Sequence, residues 1–170
     1  GGVGTGKTTL IRYLLKSTDA STIIAAIYDP MMPVLDFYNF LSEEFRLYKK
    51  FYDKADFLID LKKFLLKAYS KKQPVFLIID EAQRLDHERL EEIRLLSNIE
   101  LDDQKLITIF FVGQSETEKT LMDPTNKAIS QRISMSYHLQ PLDEQETLHY
   151  IAHRLKVAGA KRGIFTVDAC

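Results

Sequence analysis

The chain opens with Gly1-Gly2-Val3-Gly4-Thr5-Gly6-Lys7-Thr8. This stretch matches G-x-x-x-x-G-K-[ST], the pattern of a phosphate-binding loop. Glycines let successive backbone N–H groups turn towards a phosphate, because no side chain blocks its approach. Lys7 supplies a positive charge for the β- and γ-phosphates, and the hydroxyl of Thr8 suits Mg²⁺. We therefore expect these eight residues, together with Thr9, to bind a nucleoside triphosphate.

A helix is predicted directly after the loop. Its expected inner face consists of Leu10, Ile11, Leu14 and Leu15, which recur at helical spacing. The N-terminus of this helix would direct its partial positive charge at the phosphates. Because such a loop normally follows a buried strand, we expect the chain to be an excerpt of a longer protein, cut at the first glycine of the motif.

The composition fits one folded domain and gives no bulk electrostatic case for nucleic-acid binding. Hydrophobic residues make up 45% of the 170-residue chain, which is enough for a buried core. The net charge is −1, from 23 basic and 24 acidic residues, so few nucleic-acid phosphates would be neutralised. Cys170 is the only cysteine, which excludes an internal disulfide and fits a reducing compartment. No apolar run approaches the ~20 residues that span a bilayer.

Strands are predicted to alternate with helices. Apolar runs indicate buried strands at 22–28, 75–79 and 106–112, and an alternating pattern predicts a last strand at 134–139. Helices are expected at 31–47 and 55–69, after an N-cap at Asp86, before Asp123-Pro124, and from the Asp-x-x-Glu start at Asp143 to Gly159. Such alternation predicts an α/β fold with a mostly parallel sheet.

Two carboxylates follow the strongest predicted strand. Residues 75–79 are all apolar and run into Asp80 and Glu81, and ligands in open α/β sheets bind at the carboxyl ends of the strands. We expect Asp80 to hold Mg²⁺ through water and Glu81 to orient and polarise the attacking water. An acidic pair after a strand is often an ordinary helix cap, but the phosphate-binding loop upstream favours the catalytic interpretation.

Two further residues are candidates for the same chemistry. Gln114 follows the strand predicted at 106–112 and is placed to hydrogen-bond the attacking water or the γ-phosphate; the alternative is a turn amide. Arg132 precedes the last predicted strand and is expected to be an arginine finger, because a guanidinium stabilises the charge that develops on a transferred phosphoryl group. Its alternative is an ordinary surface arginine.

Two other motifs are incomplete. The segment Asn126-Lys127-Ala128-Ile129 lacks the aspartate of the guanine-reading Asn-Lys-x-Asp pattern. His149 and His153 have the spacing of a zinc-binding helix, but Tyr150 replaces the glutamate that H-E-x-x-H requires. We therefore expect both histidines on a helix surface.

Taken in order, these segments resemble an AAA+ ATPase, and more closely the ExeA/GspA type associated with general secretion pathways. The matching segments are 2–10, 77–83, 91–100, 112–114, 131–133, 137–142 and 150–155. The resemblance implies a P-loop NTPase fold of three αβα layers around a mostly parallel sheet. It also implies that residues 1–142 form the nucleotide-binding core, without the strand before Gly1, and that 143–170 begin a truncated helical lid.

The same resemblance implies site roles and partners. Gln114 takes the sensor 1 position, Arg132 is the finger contributed to a neighbouring subunit, and the sensor 2 arginine is expected beyond Cys170. The implied activity is Mg²⁺-dependent hydrolysis of ATP by a homo-oligomeric ring. The implied role is assembly of a type II secretion apparatus or envelope complex with a protein partner. The implied location is cytoplasmic, in some members as a domain of an inner-membrane protein.

Two alternatives come from other functional classes. One is an ATPase of the TniB/TnsC kind, which regulates DNA transposition and has DNA and a transposase as partners. The near-neutral charge and the 77–100 segment favour the secretion type, so DNA is the less expected partner. The other alternative is a nucleotide switch that binds ATP without hydrolysing it, and the presence of Glu81 argues against it.

Overall fold

The structure, a computed structural model, describes residues 2, 4–102, 104–160 and 165. Contacts divide the chain into two compact units. One is Gly6–Tyr137, and the other comprises the described residues within Gly1–Thr5 and His138–Cys170. Gly1 and Val3, both expected in the phosphate-binding loop, lie outside the described residues.

The larger unit contains most of the regular structure. Its helices are α1 (Lys7–Ser17), α2 (Val34–Glu44), α3 (Lys54–Ser70), α4 (His87–Ser97), α5 (Ser115–Met122) and α6 (Lys127–Ser130). Its strands are β1 (Ile23–Ile27), β2 (Val75–Ile79), β3 (Glu100–Leu101), β4 (Gln104–Lys105) and β5 (Thr108–Phe111). Single 3₁₀ turns lie at Ala82–Arg84 and Pro124–Asn126. The smaller unit contains α7 (Glu144–Val157).

The central sheet is parallel, with strand order β1-β2-β5. Its hydrogen bonding continues just beyond the strand ends: the Asp80 N–H donates to the Ile27 carbonyl (2.7 Å), and the Val112 N–H donates to the Ile79 carbonyl (2.8 Å). The carboxyl ends of the three strands therefore lie side by side. The short antiparallel hairpin of β3 and β4 was not predicted, because two-residue strands carry no periodic pattern.

The sheet has helices on both faces. Side chains alternate between the faces of a strand, and Ala26 and Ile78 cluster with Ile11 of α1 on one face. On the other face, Ala25 and Leu77 belong to the main core. That core also contains buried residues of α2, α3 and α4, among them Phe37, Tyr38, Leu41, Phe57, Leu61, Leu65, Leu90 and Ile93. This arrangement confirms the predicted three-layer α/β fold.

Local side chains explain where several helices begin. The Asp53 carboxylate accepts the Asp56 N–H (2.9 Å) before α3, and Asp86 accepts the Arg89 N–H (2.8 Å) before α4, as N-cap residues do. A full capping box of Asp143 and Glu146 opens α7. The predicted caps at positions 86 and 143 are therefore confirmed.

Helix α2 is shorter than the predicted 31–47. It begins after Pro33, which has an extended backbone and disfavours helical geometry at the residue before it. The chain leaves the helix after Glu44, and Arg46 adopts a left-handed conformation with φ 57°.

Two expectations were wrong. Residues 134–139 pair with no described strand, and most of them are exposed, for example Met135 at 85%. Alternation alone does not make a strand, because its backbone groups also need the open edge of a neighbour. Leu10 was expected on the inner face of α1 but is 51% exposed. Ile11 is the only buried residue of that helix.

The smaller unit is described mainly by α7. This helix has no buried residue; Leu148, Ile151 and Leu155 are half-buried, and Ala152 is exposed. Gly159 follows the helix with φ 89°, the left-handed geometry that ends many helices, as predicted. None of the described helices is long and apolar enough to cross a membrane.

Candidate active site

The phosphate-binding loop has the backbone that its glycines predict. Gly4 and Gly6 adopt left-handed conformations, with φ 77° and 86°. A Cβ atom at either position would meet no atom within 4 Å, so backbone conformation rather than crowding favours glycine there. The Thr5 hydroxyl donates to the Gly2 carbonyl (3.0 Å). Turns of this kind direct backbone N–H groups into a concavity that suits an anion.

The N-terminus of α1 is also suited to an anion. Gly6 is its N-cap residue, no side chain caps it, and the first turn contains no acidic residue. In contrast, aspartates cap α3 and α4. The N-terminus of a helix carries a partial positive charge, and together with its backbone N–H groups this charge suits a phosphate. Lys7 is half-buried, whereas Thr8 and Thr9 are exposed.

Packing ties the start of α1 to the end of β2. Ile11 lies one helical turn after Lys7 and clusters with Ile78, which precedes Asp80 by two residues. Asp80 is only 5% exposed, and its Oδ1 accepts the backbone N–H of Glu81 (2.9 Å). Helix α1 therefore packs against β2 two residues before Asp80.

Glu81 has a strained backbone. Its φ and ψ are 53° and 36°, a left-handed conformation that non-glycine residues seldom adopt. Such strain costs about 1–3 kcal/mol and clusters at functional sites. It turns the chain sharply after β2 and leaves Glu81 half-exposed at the carboxyl end of this central strand.

A residue that the sequence analysis missed connects Glu81 to Gln114. The Gln83 side chain donates from Nε2 to Glu81 Oε2 (2.6 Å), and its Oε1 accepts the backbone N–H of Gln114 (3.1 Å). The Ala82 N–H donates to the Val112 carbonyl (2.9 Å). The structure therefore brings Glu81, Gln83 and Gln114 together. The sequence signals were a polar side chain two residues after Glu81 and its place at the end of the matching segment 77–83.

Arg132 lies elsewhere. Its Nε donates to Asn98 Oδ1 (3.0 Å), and its Nη1 donates to the Ala128 carbonyl (2.6 Å). Asn98 is the C-cap residue of α4, an 11-residue helix that is about 16 Å long at 1.5 Å per residue. Since α4 begins just after the turn that follows Glu81, Arg132 belongs to the opposite end of that helix.

Asn126, from the incomplete guanine-reading motif, has a structural role. Asn126 is 5% exposed; its Oδ1 lies 2.7 Å from His87 Nδ1, and its Nδ2 donates to the Thr120 carbonyl (2.8 Å). His149 and His153 are exposed on α7. In the described ranges, no group of three or more His, Cys, Asp or Glu residues is arranged to hold a metal ion. The hydroxyl of Thr8 and the carboxylate of Asp80 fit a nucleotide-bound Mg²⁺, which takes one or two protein ligands plus phosphates and water.

The chain is similar to known proteins over most of its length. A family model described as "AAA domain" matches residues 1–121. The chain is 39% identical over 173 residues to General secretion pathway protein A of Aeromonas hydrophila, a match that covers 99% of this chain and 31% of that protein. The chain thus spans about a third of that relative's length. The predicted resemblance is confirmed.

Solved structures share the fold. The ORC2 protein of Aeropyrum pernix, in ADPNP-ADP complexes, superposes with a TM-score of 0.70 at 19% identity, over 92% of this chain and 44% of that one. Cdc6p of Pyrobaculum aerophilum gives 0.66 at 18% identity, over 92% of this chain and 42% of that one. At these identities the likeness concerns the fold alone.

Proposed function

The chain belongs to the AAA domain family of P-loop NTPases, and we propose that it hydrolyses ATP in the presence of Mg²⁺. The observation that carries this proposal is the placement of Glu81, in strained left-handed geometry, directly after the buried Asp80 at the carboxyl end of β2. Glu81 precedes the 3₁₀ turn Ala82–Arg84, but its side chain makes no capping hydrogen bond there. The cap of α4 is Asp86 instead.

Binding would rest on the loop and the first turn of α1. Backbone N–H groups of the glycine-rich loop and of α1 would surround the β- and γ-phosphates, and Lys7 would neutralise part of their charge. The Thr8 hydroxyl would bind Mg²⁺ directly and Asp80 through water. The ion would draw charge from the transferred phosphoryl group.

Hydrolysis would use Glu81 and Gln114. Glu81 would orient the water and accept its proton, and Gln114 would hydrogen-bond the water or the γ-phosphate. Arg132 is too far along α4 to serve its own chain, so we assign it to the site of a neighbouring subunit. Its exposure suits that role, and the active form would then be a ring of identical subunits.

The biological role that we propose is assembly of a secretion apparatus or another envelope complex, driven by ATP hydrolysis. Its support is the 39% sequence identity with General secretion pathway protein A, in a match that covers 99% of this chain. We propose that the domain acts in the cytoplasm and that its partner is a protein of the envelope or secretion system.

Two substitutions in the full-length protein separate binding from hydrolysis. Lys7→Ala removes a charge from the phosphates, so the affinity for ATP should fall. Glu81→Gln keeps the shape of the side chain but loses the base, so the protein should bind ATP normally. Its hydrolysis should fall by about 10²–10⁴-fold, the usual contribution of a general base. Nucleotide titration and phosphate release measure the two effects.

Matched controls for these changes lie on α5. Glu118→Gln and Lys119→Ala make the same chemical changes at exposed positions, and both should leave binding and hydrolysis unchanged. Wild-type turnover by Glu81→Gln would refute the assignment of Glu81.

Salt dependence of DNA binding distinguishes secretion from transposition. With a net charge of −1, association with duplex DNA should be weak at physiological salt. Binding of the full-length protein that is stimulated by ATP and falls steeply with salt would favour the transposition class.

A further inference from the structure

We propose that Gln83 is a positioning residue, which holds the Glu81 carboxylate and couples it to the segment that carries Gln114. This inference rests on the proposed role of Glu81 as the base. Gln83 lies in the 3₁₀ turn Ala82–Arg84 and is half-buried.

The chemistry of an amide fits this position. Gln83 donates one hydrogen bond and accepts another, to Glu81 Oε2 at 2.6 Å and from the Gln114 N–H at 3.1 Å. A carboxylate in its place would only accept, and an ammonium group would only donate. Because an N–H faces the oxygen of this amide, its nitrogen must face Glu81. The two contacts therefore fix the orientation of the side chain between them.

Close packing limits the movement of Gln83. A Cβ on Gly113 would lie 2.8 Å from Gln83 Oε1 and 2.1 Å from Thr117 Oγ1. The chain therefore passes against the amide at a distance that only glycine allows. Gln83 Oε1 therefore packs against Gly113 and accepts the N–H of Gln114.

Among the described residues, Gln83 is the one side chain that hydrogen-bonds to the carboxylate of Glu81. The left-handed backbone of Glu81 sets the direction in which its side chain leaves the chain, and the amide sets where the carboxylate ends. If Gln114 shifts towards a bound γ-phosphate, its N–H moves with it. One amide would then pass that displacement on to the proposed base. Gln83 would thus link nucleotide sensing to the orientation of Glu81.

Gln83→Glu removes the donated bond and keeps the accepted one. Its carboxylate can still accept from the Gln114 N–H but cannot donate to Glu81, and it adds a like charge beside it. In the full-length protein we expect kcat to fall about 10- to 100-fold, as displaced catalytic groups do. KM and the Kd for ATP should stay within about threefold, because the phosphate contacts are untouched. A purely structural role would change all three together.

Gln73→Glu is the matched control. Gln73 donates through Nε2 to the Ser21 carbonyl (3.2 Å) at the other end of β2, so the same change there should leave kcat unaltered. If Gln83→Glu does not fold, Gln83→Met removes both bonds with a side chain of similar length, and the same loss of kcat is expected.

A double variant completes the test. In a Glu81→Gln background, adding Gln83→Glu should cause no further loss, because the group that Gln83 positions has gone. Independent, additive losses would overturn the inference. So would an unchanged kcat for Gln83→Glu and Gln83→Met when Glu81→Gln is inactive. If Glu81→Gln itself turns over normally, the proposed function fails, and that result is distinct from a failure of Gln83 alone.

Discussion

The crowding at Gly113 predicts that a single added methyl group will disturb both stability and turnover. In Gly113→Ala, the new Cβ would lie 2.1 Å from Thr117 Oγ1, 2.8 Å from Gln83 Oε1 and 3.2 Å from the backbone nitrogen of Ala82, whereas ordinary contact begins at 3.4 Å. Thr117 is 8% exposed, so its hydroxyl has little room to withdraw. The backbone of Ala82 is held by its bond to the Val112 carbonyl.

The expected cost follows from these distances. Inserting a methyl group into a packed region costs about 1–3 kcal/mol of unfolding free energy. For a domain of this size, each kcal/mol lowers Tm by about 2–4 °C, so a decrease of about 2–12 °C is expected. Because Gln83 is one of the displaced groups, kcat should fall as well, while the affinity for ATP stays the same.

Thermal unfolding and steady-state hydrolysis measure the two effects in the same preparation. Thr117→Ala should restore part of the Tm in the double variant, because it removes the nearest obstacle, and its hydroxyl has no hydrogen-bond partner among the described residues. Gly2→Ala, whose Cβ would lie 3.9 Å from Thr5 Cγ2, is the stability control. An unchanged Tm and kcat for Gly113→Ala would refute this view of the packing around Gln83.

Two more predictions concern the proposed subunit interface and the core. Arg132→Ala should bind ATP but lose about 10³-fold or more of hydrolysis, and mixing it with Glu81→Gln should restore part of the activity as protein concentration rises; no recovery despite co-assembly would make Arg132 a surface residue. Tyr38→Phe removes the hydroxyl that donates to Glu92, so the free energy of unfolding should fall by about 1.5–3 kcal/mol while turnover stays the same. Tyr48→Phe, at a 74% exposed position, should change neither quantity. Denaturant unfolding measures the stability of both variants.

Features set by neighbouring residues were predictable from the sequence. Strand β2 matches its predicted bounds because five apolar residues lie between Pro74 and Asp80. The N-caps at Asp86 and Asp143 were predictable for the same reason, since a cap bonds to a backbone group only three residues away.

Features set by distant contacts were not predictable. Gln83 and Gln114 are 31 positions apart, and no local pattern joins them. The strained backbone of Glu81 arises where the chain turns at the carboxyl end of β2, and glutamate is not a residue type that favours left-handed geometry. The predicted strand at 134–139 failed because its pattern reports which side chains are apolar but not whether a neighbouring strand is present to pair with it.

The identity of the bound nucleotide tests the central claim most directly. The full-length wild-type protein and Glu81→Gln are each incubated with Mg²⁺ and ATP, separated from free nucleotide, quenched in acid and analysed by chromatography. The wild-type protein should carry mostly ADP, and Glu81→Gln should carry mostly intact ATP at similar occupancy. ADP on both proteins would show that Glu81 is not the base, and intact ATP on both would contradict hydrolysis by this chain.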